Sequence, residues 1–150
     1  MSLPGEQRDL GRPAATLRLQ TAEGEVAIHA LQVGTVTVKT CHRELCVPED
    51  TDVMQRFRQI FGASELSAPM PNLVYAIEHS TGTYLVDTGE LARFNTDPDY
   101  YACDRGAGNL YRRLLRIGVR PDQEVDRSLS AAGVQAPVRG IVLTHLHDDH

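Results

Sequence analysis

The chain has 150 residues, 41% hydrophobic and 5% aromatic, and its 15 Lys+Arg against 20 Asp+Glu give a net charge of −5. That length suits one domain with a real core, and the mix excludes a fibrous, collagen-like or wholly disordered chain. No apolar run approaches the roughly 18 residues that cross a bilayer, and the acidic balance gives no electrostatic reason to expect a nucleic-acid partner.

Met1 to Asp9 show no basic start followed by an apolar stretch, so a secretory signal is not expected and a cytoplasmic location is. Residues 1–15 carry Pro and Gly among charges and read as a loose N-terminal arm. From Thr16 the pattern turns to strands. Val26, Ile28 and Ala30 alternate, and Val33-Gly34-Thr35-Val36-Thr37-Val38-Lys39 is rich in β-branched residues. Two or three antiparallel strands are expected, with Ala22-Glu23-Gly24 turning between the first two.

Cys41, Cys46 and Cys103 are too few and odd in number for a disulfide framework. Cys41-His42-Arg43-Glu44-Leu45-Cys46 could hold a structural metal, but zinc knuckles pair such a unit with a second one. Reduced thiols of a cytoplasmic protein are the expected state.

Pro48-Glu49-Asp50-Thr51 opens a helix, with Asp50 or Thr51 able to cap it. Val53, Met54, Phe57, Ile60 and Phe61 recur at helical spacing and Gly62 ends the run. That apolar face serves either core packing, the expected role, or the wall of an apolar ligand site. Leu73-Val74-Tyr75-Ala76-Ile77 resumes as a strand, Ser80-Thr81-Gly82 turns, and Thr83-Tyr84-Leu85-Val86 returns into Asp87-Thr88-Gly89. Residues 90 to about 107 form a long polar stretch, of a length that is either disordered or functional.

Asn109 to Ile117 predicts a helix with Leu110, Leu114 and Ile117 on one face and Arg112, Arg113 and Arg116 on a solvated one; Gly118 stops it. Pro121 opens a second helix and Gly133 closes it. Gly140-Ile141-Val142-Leu143-Thr144 is a short apolar strand suited to burial on both faces. The order of strands, helix, strands, helices and strand indicates a layered α/β or α+β domain.

That last strand delivers His145-Leu146-His147-Asp148-Asp149-His150, where three of the chain's six histidines stand. In extended chain, residues two apart point to the same side, so His145 and His147 can meet one metal ion. Asp149 and His150 fall just beyond, towards a second. Imidazole with carboxylate suits zinc or another divalent transition metal. Leu146 is expected to pack inward, and Asp148 to support the site or face water.

This motif, preceded by Ile141-Val142-Leu143-Thr144, resembles the metal-binding motif of the metallo-β-lactamase-fold hydrolases. Tyr84-Leu85-Val86-Asp87-Thr88-Gly89 resembles their second hallmark, a strand ending in D-T-G. Within that superfamily, the helix-bearing insertion, Pro71-Asn72-Leu73-Val74-Tyr75 and the long loop after Asp87 look most like the N-acyl-homoserine lactonases.

The resemblance implies the first half of an αββα sandwich over residues 16–150, with the rest of the domain and the remaining metal ligands lying downstream. It implies two divalent ions, zinc being expected: the first on His145 and His147, the second on Asp149 and His150. Asp87 would support the site from beside it, or be an ordinary turn residue, and Gly89 would let the chain turn away. The implied chemistry is metal-assisted hydrolysis, in which a metal-activated hydroxide attacks the carbonyl of a lactone or small ester. Asp149 is the expected proton shuttle to the leaving alkoxide.

A thioester hydrolase or an iron-dependent persulfide oxygenase on the same fold is the alternative, and a nuclease of the superfamily is disfavoured by the acidic balance. A non-catalytic metal-binding module is a further alternative if the chain ends at His150. Expected partners are a small-molecule lactone or ester and, compatibly, a second copy in a homodimer, but no nucleic acid and no membrane. His29, His42 and His79 are expected to be structural or exposed rather than ligands.

Overall fold

Alternation sets the first strands of the protein, whose structure, a computed structural model, describes residues 15–43, 48, 50–101 and 105–145. Strands β1 (Ala15–Thr21) and β2 (Gly24–Val38) pair antiparallel about Ala22-Glu23. The two β-type segments expected between Val26 and Lys39 are one 15-residue strand with a register shift between Gln32 and Gly34. At that bulge Gly34 has φ 148°, and a Cβ there would stand 2.9 Å from the Gly118 carbonyl oxygen. The kink lets one edge of β2 serve two partners: β1 along its first half, and β5 (Leu115–Gly118) along Thr35–Val38.

Strand β3 (Met70–His79) lies along the other edge of β2 and turns through Ser80-Thr81 into β4 (Gly82–Val86). Strand β6 (Val138–Val142) closes the sheet parallel to β4, giving the order β1-β2-β3-β4-β6. One face of this sheet carries the core: Leu31, Val33, Val74, Ala76 and Leu85 are buried, and helix α4 (Val125–Ala131) lies over them through Val125, Leu129 and the adjoining Ala132. On the opposite face Leu17, Leu19, Tyr75, Tyr84 and Val142 are exposed, and no described element covers them. The expectation that residues 140–144 would be buried on both sides is therefore corrected. Ile141, Val142 and Leu143 are exposed because β6 is the outer strand of the described sheet.

The helices begin and end differently from their sequence signals. After the short α1 (Thr40–Arg43), helix α2 (Val53–Gly62) is capped by Asp52, not by Asp50 or Thr51. The Thr51 amide is spent on the Pro48 carbonyl, so Asp52 is the last residue outside the helix, and its carboxylate accepts from the amides of Met54 at 3.0 Å and Gln55 at 3.3 Å. Among the described residues none packs over the apolar face of α2, which differs from the core packing expected of it: no residue of the helix is buried, and Met54 is 60% and Phe57 52% exposed.

The stretch after Asp87 is ordered where it is described. A short 3-10 helix (Ala92–Asn95) drops Phe94 into a second cluster with Ile117 and Val119, and Tyr100 and Tyr101 pack edge-on against the Phe94 ring. Helix α3 (Arg105–Leu114) stops before Ile117, because Leu115–Gly118 pairs with β2 instead; strand pairing overrides the helical spacing. Arg112 is not merely solvated: it donates to the carbonyls of Phe94 and Asp97 and lies over the Phe94 ring. Beyond Pro121 the expected single helix is two, a 3-10 turn (Pro121–Gln123) and α4, separated by the extended Glu124, and Gly133 at φ 77° ends the second.

Candidate metal centre

Because β4 and β6 run parallel as neighbours, their carboxyl ends, Val86 and Val142, lie side by side, and polar residues follow each strand within two positions, Asp87 and Thr144. That end of a parallel pair is where chains gather ligand-binding residues. Asp87 follows β4 directly, is buried, and has φ 65°, a left-handed conformation that is uncommon for a residue with a side chain. Its amide donates to the Val142 carbonyl at 2.8 Å, extending the ladder one step past the strand. Its carboxylate turns across to the end of β6 and accepts from Thr144 twice over. The Thr144 amide reaches Oδ1 at 2.8 Å and the Thr144 hydroxyl reaches Oδ2 at 2.9 Å. The hydroxyl also lies 2.9 Å from Nδ1 of His145.

Gly89 at φ 67° lets the chain leave the sheet against β2 and β3; a Cβ there would meet Cγ2 of Val33 at 2.5 Å. Next to it, Glu90 is buried and accepts from its neighbour's amide at 2.8 Å and from the Tyr100 hydroxyl. The loop after Asp87 is thus pinned to the aromatic cluster within a few residues of the strand end.

Of the sequence-predicted site residues, Asp87 and His145 are brought together through Thr144, whereas His147, Asp149 and His150, with Leu146 and Asp148, lie outside the described residues. Among the described residues no group of three or more His, Cys, Asp or Glu is placed to hold a metal ion. Imidazole from His145, held at the carboxyl end of a strand beside a buried carboxylate, is donor chemistry that fits a divalent transition metal.

His29 and His79 make hydrogen bonds within the sheet and its turn. His29 is buried in β2, with Nδ1 against the Thr16 hydroxyl at 3.1 Å and Nε2 against Glu78 at 2.8 Å. His79 meets Thr81 across the turn. Cys41 is a free thiol, while the His42 side chain, Cys46 and Cys103 lie outside the described residues. Thr144 was given no role by sequence reasoning. Its only signal is a hydroxyl immediately before the first histidine of the motif.

No protein-family model matches the sequence, and no curated protein does. Solved structures do. An N-acyl homoserine lactone hydrolase, with the product N-hexanoyl-L-homoserine bound at its catalytic metal center, matches with a TM-score of 0.54 and 16% identity over 82% of this chain and 42% of its own. A mutant of AiiA from B. thuringiensis, with N-decanoyl-L-homoserine at the active site, matches at 0.53, with 16% identity over 82% of this chain and 42% of its own. A quorum-quenching N-acyl homoserine lactone lactonase matches at 0.52, with 16% identity over 92% and 41%.

These likenesses show the fold: the chain is built as the N-terminal part of the metallo-β-lactamase sandwich. The three structures named are lactone hydrolases, and the chain spans about two fifths of the length of each, 41–42%.

Proposed function

We propose that the protein is a metal-dependent hydrolase that opens a lactone or small ester, with an N-acyl-homoserine lactone as the leading substrate. The observation that carries this reading is the junction of Asp87, Thr144 and His145 at the paired ends of β4 and β6, immediately before the remaining residues of the H-x-H-x-D-H motif. His145 and His147 would hold the first ion, Asp149 and His150 the second, with zinc the metal to test first. Bound there, the ions would supply hydroxide near neutral pH and a Lewis acid for the carbonyl.

The chain's own residues do the rest. Asp87 fixes the strand end that carries the histidines, by accepting from the Thr144 backbone and hydroxyl. Asp149 delivers the proton to the departing alkoxide. The exposed Phe57 and Phe61, with rings stacked 6.0 Å apart, offer an apolar surface for an acyl chain.

Elemental analysis of the full protein, paired with a lactone-hydrolysis assay, tests the class of activity. Asp149→Asn is expected to lower kcat by about 100-fold or more while KM moves only a few-fold, since general acid catalysis contributes on that scale. Near-normal turnover with both metals bound would remove Asp149 from this role.

A further inference from the structure

Just past the end of β2 the fold encloses a cavity of about 260 Å³, with Lys39 in its lining. At one edge of the strand Lys39 bridges to Leu66, which brings residues 63–66, after α2, against the cavity. At the other edge Val38 pairs with Leu115, which brings the junction of α3 and β5 alongside, with Arg112, Arg113 and Arg116. The lining is one-sided in charge. It carries four cations and, among the described residues, no carboxylate, in a chain whose net charge is −5.

Lys39 is 8% exposed, and two of its three ammonium protons go to the carbonyls of Ile60 and Phe61. The end of α2 offsets about half an elementary charge. The rest is a buried cation that pairs with no acidic side chain among the described residues, an arrangement proteins rarely keep. Arg112 spends its guanidinium on the carbonyls of Phe94 and Asp97. Arg113 and Arg116 are exposed and make no hydrogen bond or ion pair with a described residue. Glu65, between the lining residues Ser64 and Leu66, is exposed and does not pair with them.

We propose that this cavity binds a phosphate group, free or carried by a small ester, with Lys39, Arg113 and Arg116 as its donors. An ammonium and two forked guanidinia suit a tetrahedral dianion better than a monovalent carboxylate. The Lys39 proton that α2 leaves unused and the two unpaired guanidinia would supply the hydrogen bonds. The volume confines the occupant to a small molecule, and the acidic remainder of the chain repels a nucleic-acid backbone. A neighbouring cavity of about 510 Å³ shares Arg112, Leu115 and Arg116 and adds Phe94 and Ile117, an apolar wall for the organic part of an ester. None of these residues belongs to the metal centre, so the proposal stands apart from the hydrolase reading.

Isothermal titration of the full protein with inorganic phosphate, glycerol 3-phosphate and acetate tests the site. Phosphate should bind the parent, and acetate far more weakly. Arg113→Gln and Arg116→Gln should each weaken phosphate binding about 10-fold or more, the scale of a lost charge-assisted hydrogen bond, and the double variant should lose it. Replacing both by Lys, which keeps the charge but not the fork, should fall between. Glycerol 3-phosphate binding more tightly than phosphate assigns the site to an ester; the reverse order assigns it to the free ion. Phosphate should also raise the Tm of the parent but not of the double glutamine variant.

A parent that binds no phosphate, or acetate bound as tightly as phosphate, overturns the proposal. So does phosphate binding that persists unchanged in the double glutamine variant, the result expected if the anion sits on the metals instead. Both arginines are exposed and unpaired, so the variants should fold as the parent does.

Discussion

At Asp87-Thr88-Gly89 the backbone leaves a buried strand through two left-handed residues, φ 65° and 67°, and each is held for a different reason. Asp87 is compensated by its bonds to Val142 and Thr144. Gly89 is there because nothing larger fits beside Val33. Gly89→Ala therefore combines left-handed strain of about 1–2 kcal/mol with overpacking of about 1–3 kcal/mol. A loss of roughly 2–5 kcal/mol is expected in urea denaturation; an unchanged midpoint would mean the loop relaxes freely. The D-T-G triplet was legible in the sequence through its resemblance. The partner of Asp87 was not, since it stands 57 residues away and is reached only when β6 docks on β4.

At the scale of elements, α2 shows what periodicity can and cannot say. The spacing of Val53, Met54, Phe57, Ile60 and Phe61 fixed the helix and its apolar side, but a moment in a sequence does not specify what covers it. Among the described residues that side is open, and the helix is anchored elsewhere. Lys39, at the end of β2, is largely buried and donates to the carbonyls of Ile60 at 3.0 Å and Phe61 at 2.9 Å, satisfying the last turn with a positive charge.

Lys39→Met should cost about 1.5–3 kcal/mol by the usual worth of charged hydrogen bonds, and hydrogen exchange should locate the loss in α2. Uniform loss of protection across the sheet would contradict a local cap. The exposed phenylalanines predict the reverse pattern. Phe57→Ala should change folding stability by less than about 1 kcal/mol, yet raise KM for long-chain lactones more than for short ones. Equal effects on both chain lengths would return Phe57 to a packing role. The end of α3 was misread from sequence for a comparable reason: Ile117 is apolar and buried as expected, but as a strand residue against β2.

For the molecule as a whole, the described sheet is covered at the centre of one face and uncovered on the other. Helix α4 covers the centre of the first, over Leu31, Val74 and Leu85. The second presents Tyr75 and Tyr84, 40% and 39% exposed, in a field of half-buried aliphatics. In the αββα arrangement proposed for the complete domain, a second sheet lies against that face. Tyr84→Asp should then cost about 3 kcal/mol in the full protein, through burial of an unpaired carboxylate. A change within about 0.5 kcal/mol, the range of surface substitutions, would show that the face meets water. Layering and the order of strands and helices were legible from alternation and turn residues, because both depend on neighbours in sequence. The parallel pairing of β4 with β6, which makes the site, was available only through the resemblance.

That pairing also sets an order of events. Tight turns join β1 to β2 and β3 to β4, and the β2–β3 pairing closes over residues 39–69, a shorter span than the residues 87–137 between β4 and β6. The β4–β6 pair must wait while the intervening chain is gathered in, and long-range strand pairing is the slow, entropically expensive part of such folding. Asp87 and His145 thus meet late, after the β1–β2 and β3–β4 hairpins have formed. Any ion that grips the end of β6 would act on that last step, slowing its reversal and leaving the earlier hairpins almost untouched.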